Sequence, residues 1–197
     1  MGLDLEFVDG QTPLEEEEKE GLLISTVTTR GELDEFEQYN IEKAIQWTVT
    51  HRFNKEEILT ETFIRKVHKK MYEEVWAWAG EFRKTNKNLG VDRNQIPIQL
   101  KSLLEDCRYW IDHGTYDPDE TAIRFKHRLV SIHCFSNGNG RHSRLMADLV
   151  VSKIFKLPVF SWGAKDNSTQ NARKHYLQAI RTADQNDIAP LVKFARQ

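Results

Sequence analysis

The chain has 197 residues, is 39% hydrophobic and 29% charged, and carries a formal net charge of −2. That length suits one domain, with or without an appended arm, and it can bury a sizeable core without disulfides. The near-neutral balance excludes nucleic-acid binding through bulk charge, so any anion site must be local. Cys107 and Cys134 are the only cysteines and lack paired metal-ligand spacing, which points to a reducing compartment. No apolar run approaches the roughly 18 residues of a membrane span. The acidic opening MGLDLEFVDGQTPLEEEE lacks the basic-then-apolar pattern of a secretory signal. Gly2 would suit myristoylation, but Glu6 stands where that signal wants Ser or Thr. The expectation is a cytoplasmic protein with no membrane partner and with no nucleic-acid partner supported by its charge.

In chain order, residues 1–20 read as an acidic lead-in, with LEEEEKEGL able to form a short solvated helix. TTRGELDEFEQYNIEKAIQWTV predicts a helix buried on Leu33, Phe36, Ile41, Ala44, Ile45 and Thr48. Thr28 or Thr29 can cap it, and Glu32 in its first turn suits the helix dipole. NKEEILTETFIRKVHKKMYEEVWAWAG predicts a second helical stretch, with Leu59, Phe63, Val67 and Met71 four apart and Gly80 at its end. Trp76 and Trp78 are expected in the core. Residues 80–100 lack helical period and are rich in Asn, Gly and Arg, so a short β-hairpin turning near 88–90 is expected. Helices resume in IQLKSLLEDCRYWIDHG and in DPDETAIRFKHRLVSIHCF, with Asp117 or Asp119 near the cap of the latter. RHSRLMADLVVSKIFKL, NARKHYLQAIRTADQ and IAPLVKFAR complete a mainly α chain.

The least ordinary stretch is HCFSNGNGRHSR, residues 133–144. Helical pattern precedes and follows it. A dinucleotide-binding turn needs a strand before it and a third glycine, and a Walker loop needs Gly-Lys-Ser/Thr, so both are excluded. What remains is a helix–loop–helix whose second helix begins at or near Gly140. The free N–H groups and dipole at a helix start attract anions. Gly138 and Gly140 let a ligand approach the backbone, and Asn139 tolerates left-handed geometry and can reach a phosphate oxygen. Arg141 and Arg144, three apart, share a face and suit successive phosphates. His133, at the end of the preceding helix, is placed to act as a base. Phe135 is expected to anchor the loop in the core.

Residues 133–144 resemble the signature H-x-F-x-(D/E)-G-N-G-R-x-x-R of the Fic (Fic/Doc) family, and the resemblance extends over roughly residues 25–195. GEFR and the Asn-rich segment after it resemble the family's flap, and RKHYLQAIRTADQNDIAPLVKFA its closing helices. The acidic opening and TTRGELDEFEQYNI resemble the subgroup called mobile mystery protein B. The resemblance implies a helical bundle with a small β-hairpin flap, arranged as an acidic arm (1–24) and a Fic domain (25–197). Within that domain an inhibitory helix would begin in 28–40, the flap span 83–98 and the signature loop 133–144.

The implied activity is protein adenylylation, transfer of AMP from ATP to a Tyr, Thr or Ser hydroxyl of a protein target. His133 would take the hydroxyl proton. Asn137, Gly138, Asn139 and Gly140 would line the nucleotide phosphates, Arg141 the β-phosphate and Arg144 the γ-phosphate. Thr85, Asn86, Lys87, Asn88, Leu89, Gly90 and Val91 would lay the target alongside as an added strand. The family's metal is Mg²⁺ (or Mn²⁺), held by an acid where this chain has Asn137, a neutral and weaker oxygen ligand. The family's inhibitory motif, S/T-x-x-x-E-G/N, carries a Glu that pairs with the last signature arginine. Residues 28–33 fit its first five positions, making Glu32 the candidate partner of Arg144 and Glu37 the reserve. Removal of AMP, transfer of another phosphate-containing group, a non-catalytic nucleotide-binding module and self-association stay open.

Overall fold

The computed structural model describes residues 19–164 and 169–197. The acidic lead-in expected over 1–20 lies almost wholly outside the described residues. The elements are α1 (Arg30–Thr50), α2 (Lys55–Ile58), α3 (Glu61–Tyr72), a 3-10 turn (Arg93–Gln95), α4 (Ile96–His113), α5 (Pro118–Ile132), α6 (Asn139–Leu149), a π-helical turn (Val150–Ile154), α7 (Thr169–Asp184) and α8 (Ala189–Arg196). The fold is mainly α. Helices α5 and α6 form its centre, joined by the signature loop. α4 and α8 pack on α5, α3 packs on α6 and α1 on α3, and α7 covers α8.

Helix α1 starts where its sequence provides a cap. The Thr29 side chain accepts from the Glu32 N–H while the Glu32 carboxylate accepts back, a reciprocal capping box. Its buried stripe is Leu33, Glu37, Asn40, Ile41, Ala44 and Thr48. Phe36 and Ile45, expected inside, are exposed. The stripe instead takes in two polar residues whose side chains reach α3 and the turn after it.

The helical stretch expected over 54–79 is two helices and a run of turns. Thr60 interrupts the first because its hydroxyl accepts the Phe63 N–H and starts α3. The second ends at Tyr72, not at Gly80. Beyond it the chain pairs with residues 21–23: Leu23 N–H donates to Val75 O at 2.9 Å and Ala77 N–H to Gly21 O at 2.8 Å. That pairing buries Trp76 beside Tyr72, and Trp78 packs against the same core.

The expected β-hairpin does not form. Among the described residues the only β pairing is the isolated Leu22–Trp76 bridge. Residues 81–92 make an irregular loop instead, because its groups find partners other than a facing strand. Arg83 N–H donates to Cys134 O at 2.9 Å and Val91 N–H to Ile132 O at 3.3 Å. Across the loop, the Asn86 amide donates to Asp92 and accepts from Arg93 N–H, each at 2.8 Å.

Candidate active site

His133 closes α5 in the left-handed region, at φ 57° and ψ 62°. A residue with a Cβ holds that conformation only where its surroundings impose it. Here the loop at 81–92 does so, through bonds to the carbonyls of residues 132–134. The His133 side chain is buried, and its pKa is pushed down to about 4, by burial first and then by the Arg83 guanidinium. The imidazole is therefore neutral at pH 7, as a proton acceptor must be.

The loop then turns on Gly138, at φ 76°. A Cβ there would lie 2.4 Å from the Tyr72 hydroxyl, so both the conformation and the space require glycine. Gly138 is the N-cap of α6, whose first intrahelical bond runs from His142 N–H to Gly138 O at 2.9 Å. No side chain caps this helix. The N–H groups of Asn139, Gly140 and Arg141 thus precede the first intrahelical bond and form an anion-attracting helix start. A Cβ on Gly140 would meet nothing within 4 Å, so the backbone on that side is open to approach.

Asn139 does something other than reach for a phosphate. Its Oδ1 accepts the Phe135 N–H at 3.0 Å and its Nδ2 donates to Phe135 O at 2.8 Å. Both ends of the amide brace the loop, and Phe135 is fully buried, as expected. The Asn137 Oδ1 accepts the Gly138 N–H at 2.7 Å. Among the described residues no three His, Cys, Asp or Glu side chains converge on a metal position. A Mg²⁺ ion that arrives with ATP would therefore be held mainly by phosphate oxygens and water, with Asn137 as its weak protein ligand.

Arg141 and Arg144 lie on one face of α6, but they are engaged differently. Arg141 donates to Glu37 Oε2 at 2.6 Å and lies over the Tyr72 ring. Glu37 is fully buried, and its other oxygen accepts the Trp76 Nε1–H at 2.7 Å. Arg144 lies over the Tyr176 ring, which also faces the Lys126 ammonium position. Glu32, the first candidate for the inhibitory role, is turned elsewhere. Its Oε2 accepts from Thr28 N–H, Thr28 Oγ1 and Thr29 N–H at 2.8–3.1 Å, and those bonds hold its carboxyl below the usual range. The reserve, Glu37, meets the signature at Arg141 and not at the expected Arg144.

Two histidines outside the expected set support the loop. His68 is fully buried and stacks on Phe135, ring centroids 3.7 Å apart. Its Nδ1 accepts the Gly80 N–H at 3.0 Å, so its Nε2 carries the proton donated to Asn137 O at 3.1 Å. His142 is likewise buried, with Nε2 at 3.0 Å from Ile64 O. Burial drives both pKa values down, that of His142 to about 4. One sequence sign was available for His68: it follows Ile64 and Val67 by four and one, within the apolar face of α3.

Comparison with known proteins agrees with this geometry. Residues 58–151 match the Fic/DOC family. Proteins named protein adenylyltransferase Fic are similar: that of Aedes aegypti is 26% identical over 159 residues, 78% of this chain and 30% of its own length. That of Drosophila grimshawi is 29% identical over 118 residues, 58% of this chain and 23% of its own. The chain thus spans less than a third of these curated relatives. Among solved structures, Fic-1 of C. elegans superposes with a TM-score of 0.68 at 22% identity, over 90% of this chain and 51% of that one. BepC of Bartonella tribocorum, solved with bound AMPPNP, gives 0.67 at 14% identity, over 92% and 97%. Residues 58–151, just under half of the chain, thus match the Fic/DOC family, and the fold of Fic proteins extends across most of the described length.

Proposed function

We propose that the chain is a protein adenylyltransferase that moves AMP from ATP to a protein hydroxyl. The observation that carries this reading is one loop with a neutral buried imidazole at one end and an uncapped helix start with two arginines at the other. The names of the similar proteins support it. In the reaction the target's O–H bond breaks and its proton passes to an imidazole nitrogen of His133. The oxygen bonds the α-phosphorus while the Pα–O–Pβ bond breaks, and pyrophosphate leaves. The helix-start N–H groups and the arginines hold the phosphates and meet the charge that develops on the leaving group. Such transfers depend mainly on positioning and charge stabilisation.

The protein is at rest in this arrangement, because the Arg141 guanidinium needed by a phosphate is held by Glu37. Breaking that pair strands a buried carboxylate, a cost that a phosphate at Arg141 does not relieve and that favours the resting arrangement. Residues 85–91 lie against the base and present the target hydroxyl. Residues 25–197 form the catalytic unit. ATP labelled at the α-phosphate tests the reaction class: label from the α position should join protein, and label from the γ position should not. Incorporation of γ label instead would mean phosphoryl transfer and would reject the reading. Binding of ATP with neither label incorporated, by the parent and by Glu37→Gln alike, would leave a nucleotide-binding module.

A further inference from the structure

The loop at 81–92 and the His133 turn are joined by more than proximity. Three consecutive carbonyls, of Ile132, His133 and Cys134, each accept from that loop. Val91 N–H bonds Ile132 O at 3.3 Å, Arg83 Nε bonds His133 O at 2.7 Å, and Arg83 N–H bonds Cys134 O at 2.9 Å. The last carbonyls of a helix lack intrahelical donors and form its negative end, so a cation with several N–H groups suits the place.

Arg83 is 3% exposed, and its guanidinium serves three carbonyls at once. Beside His133 O it bonds Thr85 O at 2.8 Å through one terminal nitrogen and Val91 O through the other. Thr85 and Val91 are the two ends of the segment read above as the docking edge for the target. The planar five-donor fork of arginine can span such a set, and a lysine ammonium on a single stem cannot match it. Gly90 adds a steric stop. Its φ is 97°, and a Cβ there would fall 2.5 Å from the His133 Cβ. The root of the base is thus held by a backbone wedge on one side and by the Arg83 guanidinium on the other.

We propose that Arg83 is a positioning residue that binds the two ends of the target-docking segment to the backbone of the catalytic base, so that both move as one unit. This rests on the reading of His133 as base and of 85–91 as docking edge. A target strand seated on that edge presses on Thr85 and Val91, and Arg83 passes the displacement to the His133 carbonyl. ATP is held at the other end of the loop, on α6, and does not touch this device. Loss of Arg83 therefore lowers turnover and leaves nucleotide affinity in place.

Two variants test this. Arg83→Lys keeps the charge and loses the fork, and Arg83→Met loses both. Three quantities are measured on each: affinity for a non-hydrolysable ATP analogue, the self-modification rate with ATP, and the His133 titration by NMR with labelled histidine. The charged groups that face His133 and lower its pKa are Arg83 and Lys87. Arg83→Lys should keep analogue affinity within about twofold and a low His133 pKa, yet lose on the order of 100-fold in rate, as small misplacements of a base do. In Arg83→Met the His133 pKa should also rise above about 4. A folded Arg83→Lys protein with the parental rate overturns the proposal, as does a rate loss matched by an equal loss of analogue affinity. If neither the parent nor Glu37→Gln transfers AMP, the adenylyltransferase reading fails, while an unmoved His133 pKa and ring signal in Arg83→Met separately reject the positioning role. Should Arg83→Met not fold, Arg83→Lys decides.

Discussion

At the residue scale, the imidazole of His133 owes its neutrality to burial and to Arg83. A base must be unprotonated, and its folded-state pKa lies near 4 rather than 6.5. The acid limb of kcat/KM, which reports the free enzyme, should therefore stay level from pH 7 to about 5 and fall as pH drops through about 4. An inflection near 6.5 would mean that His133 is solvent-exposed in the working enzyme or is not the base. The turn at 133–144, the left-handed glycine at 138 and the two arginines on one face of the next helix were legible in the sequence, because the turn signals and charge sit within twelve residues of one another. The bracing role of the Asn139 side chain was not legible, for a physical reason: an amide beside an anion site and an amide that braces a turn have the same sequence. Tyr72, Trp76 and Arg83 were not legible as site residues, and His68 was legible only as a polar residue on an apolar face, since only the folding of α3 and its following turns brings them to the loop.

At the element scale, α1 separates two glutamates that look alike in sequence. Glu32 and Glu37 are five residues apart, so they point about 140° from one another around the helix. One completes the cap and the other enters the buried stripe. The sign in the sequence was Glu37 itself, four residues from both Leu33 and Ile41, a charge in an apolar stripe that needs a buried partner. Glu37→Gln keeps an acceptor for Trp76 Nε1–H and removes the charge that holds Arg141. Self-modification with ATP should rise by about tenfold for each ~1.4 kcal/mol of pairing lost. An unchanged rate in that variant would remove the inhibitory role. Glu32→Gln should leave the rate unchanged, because its partners are confined to the cap. The loop at 81–92 shows the converse limit. Its Asn, Gly and Arg content marked a turn, but local composition cannot show that its backbone donors pair with a distant helix end rather than a neighbouring strand.

At the scale of the whole molecule, α5, the signature loop and α6 form the core hairpin on which α3, α4 and α8 pack, and three neutral buried histidines lie along it. His133 and His142 titrate near 4 in the fold, and His68 well below its ordinary value, against 6.5 when unfolded. The unfolded chain thus binds more protons between pH 6.5 and 4, and stability must fall as pH falls through that window. Each histidine contributes a slope of up to about 1.4 kcal/mol per pH unit, readable as a lower urea midpoint at pH 5 than at pH 7. Equal midpoints would mean that these rings are open to water. The mainly α architecture was legible from periodicity, since helical stripes report local geometry. The pairing of 21–23 with 75–77 was not, because it depends on a contact some fifty residues away. The central claim is that this hairpin catalyses AMP transfer with His133 as base, and the intact mass after incubation with MgATP tests it most directly. The protein, or a protein in a lysate mixed with it, should gain the mass of one AMP, and the gain should vanish in His133→Ala while ATP binding persists. An equal gain in His133→Ala, or none in the parent and in Glu37→Gln alike, would contradict it.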